Sequence, residues 1–126
     1  TQLLNHAQLD RWSVVATLDY LERQQEIDIV VARVPQFATE SGRELVESMV
    51  ALAELTRKGF ASGDIAVLMS PRTVITWAEN CEIFRDPLMA FRLSFLNKCD
   101  PAERPIVAEY YQRCFGVELE DTGVVD

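Results

Sequence analysis

Three times in its second half the chain sets a serine or aspartate directly before a proline: Ser70-Pro71, Asp86-Pro87 and Asp100-Pro101. A short polar side chain at such a point accepts from the open N–H groups of a helix's first turn. Proline fits the next position, where a backbone N–H is not needed and its fixed φ suits the helix. Each pair therefore predicts a helix start. After the first, Val74, Ile75, Ala78 and Cys81 recur at helical spacing, so 71–84 is expected to bury one stripe. After the second come Leu88, Phe91, Phe95 and Leu96. After the third come Ile106, Val107, Tyr110, Tyr111 and Phe115, with Gly116 as the stop.

The first half reads similarly, with one exception. Ile27, Val30, Val31 and Val34 form one helical face that Pro35 ends. A polar linker is expected at 39–42. From 43 to about 60 a long helix sets Leu45, Met49, Leu52 and Ala53 against Arg43, Glu47, Glu54 and Lys58. Gly59 and Ser62-Gly63-Asp64 are expected to end it, and 65–69 is a short apolar connection. The exception is 12–21, rich in β-branched and aromatic residues between charges, which predicts a strand. A lone strand is not stable, so it implies partner strands outside this sequence. The expected fold is mainly α, with one terminal strand and a helical bundle cut from a larger α/β domain. Residues 1–21 would be the end of that domain's core, 22–117 the helical domain and 118–126 a flexible acidic tail.

Composition narrows the function. A formal net charge of −8 argues against phosphate-backbone binding to nucleic acid and against a basic membrane-surface helix. No apolar run is long enough to span a bilayer. Cys81, Cys99 and Cys114 are odd in number and widely spaced, and His6 is the one histidine, so no ordinary zinc site is expected. Unpaired thiols fit a reducing compartment, hence the cytoplasm. There is no phosphate-binding loop of the Gly-x-x-x-x-Gly-Lys-Ser/Thr type and no nucleophile elbow, and the carboxylates sit at surface ion-pair spacing. Two arginines stand out. Arg11 lies between Asp10 and Trp12 at the mouth of the expected strand. Arg72 lies in the first turn of a helix, where the dipole disfavours a cation, so it calls for an anionic partner. Guanidinium is well suited to phosphate, being always charged and forked.

The run from Met69-Ser70-Pro71-Arg72 through Trp77-Ala78-Glu79-Asn80 is followed by Ala90-Phe91-Arg92-Leu93-Ser94-Phe95-Leu96-Asn97-Lys98-Cys99-Asp100. Together with Glu103-Arg104-Pro105 and Ala108-Glu109-Tyr110-Tyr111, these residues resemble the C-terminal part of the AAA+ ATPase subunits of aerobic cobaltochelatase, in the MoxR-like branch. Leu9-Asp10-Arg11-Trp12 and Thr17-Leu18-Asp19-Tyr20-Leu21 look like the end of that family's ATPase core. The resemblance implies the last core strand followed by a helical lid. It implies that Arg11 is an arginine finger reaching the nucleotide of the neighbouring subunit, and that Arg72 is the sensor-2 arginine contacting nucleotide in its own subunit. It further implies ATP with Mg2+, bound mainly by a region upstream of Thr1, and a self-assembled ring. The other implied partners are a large chelatase subunit and a second accessory subunit, and the process served is cobalt insertion into a corrin precursor. By itself this segment should catalyse nothing. On the residues, two other readings stay open. One is a MoxR-like ATPase with another client, in metalloenzyme maturation or gas vesicle assembly. The other is a helical interaction module with no nucleotide role.

Overall fold

A computed structural model describes residues 10–18 and 21–116. Its described residues form six α-helices and no strand, in agreement with the mainly α fold expected. In chain order they are α1 (Arg11–Leu18), α2 (Arg23–Arg33), α3 (Glu40–Ser62), α4 (Pro71–Phe84), α5 (Pro87–Ser94) and α6 (Arg104–Phe115). Short 3-10 turns at Pro35–Phe37, Leu96–Lys98 and Pro101–Glu103 join them. The expected segments at 1–9 (with His6) and 118–126 lie outside the described residues, as do Asp19 and Tyr20.

Of the strand expected over 12–21, residues 12–18 are instead part of helix α1. Its cap explains the outcome: Asp10 Oδ1 accepts from Ser13 N–H at 2.8 Å, and Asp10 O accepts from Val14 N–H at 3.2 Å. The β-branched residues that suggested a strand express a weak preference, which packing against α3 overrides. Val15 is buried there, while Trp12 is 72% exposed. No sheet edge is therefore needed to hold this segment.

Helix α3 is the frame, packed by α1, α2, α4 and α6. Val46, Met49, Val50, Leu52 and Ala53 are fully buried along it and meet Ile27, Val30 and Val31 of α2. The helix starts earlier than expected. Thr39 Oγ1 accepts from Gly42 N–H at 3.0 Å, so 39–42 is a cap and first turn, not a linker. Gly59 lies inside the helix, where its bare Cα makes room for the Tyr110 hydroxyl, and the stop is Gly63 at φ +87°.

The second half follows the Ser/Asp-Pro punctuation. Ser70 Oγ accepts from Thr73 N–H at 3.2 Å, and Asp86 Oδ1 accepts from Leu88 and Met89 N–H at 3.1 and 3.2 Å. Asp100 Oδ1 accepts from Ala102 N–H at 2.9 Å, opening the 3-10 turn that leads into α6. Aromatic packing ties α4, α5 and α6 together. Trp77 lies 5.0 Å from Phe91 and 5.7 Å from Phe115, and Tyr111 stacks on Phe115 at 4.4 Å between ring centroids. Trp77 Nε1 donates to Pro87 O at 3.0 Å, so the buried indole leaves no polar atom unpaired. These rings are core, as their spacing predicted.

Gly42 gives a stability test. A Cβ there would stand 2.7 Å from both Cα and the carbonyl oxygen of Phe37, backbone atoms that cannot step aside. Alanine is better than glycine inside a helix by about 1 kcal/mol, but overpacking costs about 1–3 kcal/mol. The clash should win. Gly42→Ala is expected to lower the urea midpoint; an unchanged or raised midpoint would contradict the close approach.

Candidate functional site

The connection between α3 and α4, residues 64–70, leads directly to Arg72 and is held by four side chains. Arg11 Nη1 donates to Ile65 O at 3.1 Å, and Glu103 Oε1 accepts from Ala66 N–H at 2.9 Å. Thr56 Oγ1 accepts from Met69 N–H at 2.9 Å, and Arg57 Nε donates to Met69 O at 2.8 Å. Ile65 and Met69 are buried beneath these bonds. Four backbone groups of an irregular segment are thus satisfied by α1, α3 and the turn before α6.

Arg57 lies on the apolar side of α3, four residues beyond Ala53, and is 2% exposed. Its Nη1 and Nη2 donate to Glu26 Oε1 and Oε2 of α2 at 3.0 and 2.7 Å. Two buried charges cost several kcal/mol each to desolvate, so the pair needs its paired-fork geometry and its further bond to Met69. Neither Glu26 nor Arg57 figures among the sequence candidates. A signal was present: Glu26 lies four before Val30, and Arg57 falls on the stripe through Val46, Val50 and Ala53.

Arg72 is exposed in the first turn of α4, which carries no acidic residue. Among the described residues it makes no hydrogen bond and no ion pair. Its cation faces outward at the positive end of a helix dipole, an arrangement that an anion would relieve. Arg11 stands differently. It opens helix α1, its guanidinium lies 4.6 Å over the Phe60 ring, and Nη1 donates to Phe60 O at 2.9 Å as well as to Ile65 O. Both sequence candidates therefore adjoin one connection, Arg11 near its start and Arg72 just past its end.

Elsewhere, Arg92 Nε and Arg104 Nε are buried with no hydrogen-bond partner among the described residues. Arg23–Glu54, Arg43–Asp28 and Arg113–Glu109 are solvent-facing ion pairs. Hydrogen bonds from Arg43 and Gln24 hold the Asp28 carboxyl below the usual range. Among the described residues no three His, Cys, Asp or Glu side chains gather as a metal site, and no helix is long and apolar enough to cross a membrane. Burial pushes all three thiols up, Cys99 to about 11. They stay protonated at neutral pH and are poor nucleophiles.

Fold and site define a mainly α-helical bundle that offers, at the first turn of a serine-capped, proline-started helix, an exposed arginine with no partner among the described residues. Compared with known proteins, the chain is 58% identical over 121 residues to the aerobic cobaltochelatase subunit CobS of a Sinorhizobium species. The match covers 96% of this chain, which spans 36% of that relative's length. The resemblance expected from the sequence is thus borne out across nearly the whole chain. Neither a protein-family model nor a solved structure gives a significant match.

Two outcomes check the electrostatics. Glu26→Leu removes the carboxylate from a buried ion pair and should cost about 3–5 kcal/mol in chemical denaturation, whereas Glu26→Leu with Arg57→Met should recover part of that, less what the Met69 carbonyl loses with its donor. Equal losses in both would mean that the pair is not buried as described. For Cys99 the folded-state value of about 11 lies above the ordinary 9.0, so its share of stability is complete below pH 9 and is lost as pH rises towards 11. The urea midpoint should fall over that window, and Cys99→Ala should flatten the fall. An identical slope in the variant would remove Cys99 as a contributor.

Proposed function

We propose that this chain is the helical lid of an AAA+ ATPase subunit that drives cobalt insertion into a corrin precursor within an aerobic cobaltochelatase. The observation that carries the reading is Arg72: an exposed guanidinium with no anion among the described residues, at the start of a rigidly capped helix, in a chain 58% identical to CobS. In this reading Arg72 is the sensor-2 residue and grips the phosphates of ATP bound to its own subunit. Residues 22–117 are the lid. Residues 1–21 join it to the ATPase core, and α1 packs on α3 at that join.

Arg11 is the finger in the same reading. Subunits assemble head to tail in a ring, and Arg11 is presented to the phosphates at the neighbouring subunit's site. A finger stabilises charge that develops on the transferred phosphoryl group. The nucleotide cradle and the ligands for Mg2+ belong to other parts of the ATPase. Cobalt and the macrocycle are substrates handled by the large chelatase subunit, a second accessory subunit completes the complex, and the assembly works in the cytoplasm. What this chain contributes is two cations placed on either side of one short connection.

ATP turnover by the full-length subunit tests both roles. Arg11→Ala and Arg72→Ala should each lose most activity, on the order of 10³-fold for the finger. A mixture of the two variants should regain part of it. Some interfaces in mixed rings join an intact Arg11 to a subunit with an intact Arg72. Wild-type turnover in both single variants would make the two arginines surface charge and overturn the reading.

A further inference from the structure

Met69 is gripped through both polar atoms of its backbone. Its N–H donates to Thr56 Oγ1 and its carbonyl accepts from Arg57 Nε, at 2.9 and 2.8 Å. All three residues are buried. The next residue, Ser70, caps α4; Pro71 then fixes φ, and Arg72 follows. Very little free backbone rotation separates the clamp on Met69 from the Cα of Arg72, whose side chain the proposed reading points at phosphate.

The clamp has a direction as well as a strength. A guanidinium is planar, and two of the Arg57 nitrogens are committed to the two oxygens of Glu26. The line of its Nε–H is then set by the Glu26 carboxylate plane. Where α2 places Glu26 therefore decides where the Met69 carbonyl must lie. Burial of the Met69 side chain alone would hold the segment down without fixing its angle, because apolar burial is non-directional. Thr56 adds a second directional bond one residue away on α3.

We infer that Arg57, oriented by Glu26, is a positioning residue: it sets the start of α4 and thereby the backbone position from which Arg72 reaches its phosphate. This inference rests on the reading of Arg72 as the phosphate-binding arginine of the lid. It assigns Arg57 no contact with nucleotide.

The test measures binding of a fluorescent ATP analogue to the full-length subunit, with a thermal melt recorded for each variant. Arg57→Lys keeps a charge for Glu26, but a single flexible ammonium cannot hold Glu26 and Met69 in one fixed geometry. It should bind nucleotide about tenfold more weakly, on the scale of one lost charged hydrogen bond. The double variant Arg57→Lys/Arg72→Ala should bind no more weakly than Arg72→Ala, because a residue acting through Arg72 has nothing left to act on. Thr56→Val, uncharged and of similar shape, removes the other tether and should shift affinity in the same direction, so the test stands even if Arg57→Lys fails to fold. Two results would overturn the inference. In one, Arg57→Lys and Thr56→Val lower the melting temperature yet bind nucleotide like wild type. In the other, the loss from Arg57→Lys persists in full on the Arg72→Ala background. Wild-type binding by Arg72→Ala itself would instead bring down the reading of Arg72, and the inference with it.

Discussion

The buried pair Glu26–Arg57 is the interaction on which the arrangement of this bundle depends. It joins α2 to α3 through two short hydrogen bonds and reaches on to Met69, so three segments distant in sequence meet at one guanidinium. An apolar pair of equal volume could fill the same space without the cost of desolvating two charges. It could not satisfy the Met69 carbonyl, which would then be a buried acceptor without a donor, at a cost of about 1–3 kcal/mol. The charge is there because an irregular connection crosses the core, and a connection has backbone groups that a helix does not leave open.

On either side of that junction the packing differs in kind. Between α2 and α3 the contact is aliphatic: Ile27, Val30 and Val31 against Val46, Met49, Val50 and Ala53. Between α4, α5 and α6 it is aromatic, with Trp77 touching rings from both neighbours. The aromatic side also uses polar tips, as in Trp77 Nε1 to Pro87 O and Asn80 Nδ2 to Ser94 Oγ at 2.9 Å. Short helices such as α5, Pro87–Ser94, are marginal by themselves. Their caps and these ring contacts supply what length does not.

The parts of the fold legible in the sequence are those whose signal is local. Ser70-Pro71 and Asp86-Pro87 mark helix starts because cap and proline act within one turn, and the stripes of α2, α3 and α4 are readable because burial repeats with the helix. What was illegible depends on partners far along the chain. The segment 11–18 resembles a strand by composition, yet it has the slot on α3 and the Asp10 cap to make it a helix. Gly59 looks like a stop and is a gap for Tyr110. Glu26 and Arg57, 31 residues apart, each look like a charge misplaced on an apolar face, and only their juxtaposition explains either. Of the site, Arg72 could be singled out from its place in a first turn, but its lack of a protein partner could not. The bonds of Arg11 to Phe60 O and Ile65 O were beyond reach, since the expected strand would have pointed it elsewhere.

Those bonds bear on how Arg11 could serve a neighbouring subunit. To reach a phosphate it must leave two carbonyls and the Phe60 ring. These bonds have a charged donor and contribute about 1.5–3 kcal/mol each, and an exposed cation–π contact adds about 0.5–1 kcal/mol. In the proposed reading a phosphate would replace neutral acceptors with a charged, forked one, whose attraction rises in a site closed from water. The exchange would then favour the phosphate when one is presented and the carbonyls when none is. An arginine parked on carbonyl oxygens, with no carboxylate partner among the described residues, can make that exchange without stranding an opposite charge there. Because Ile65 lies on the same short connection that ends at Ser70, leaving it loosens one of the tethers upstream of Arg72 while the Thr56 and Arg57 clamp on Met69 stays in place. In the proposed reading Arg11 would thus move without dislodging the start of α4, and the two cations would answer to different nucleotides.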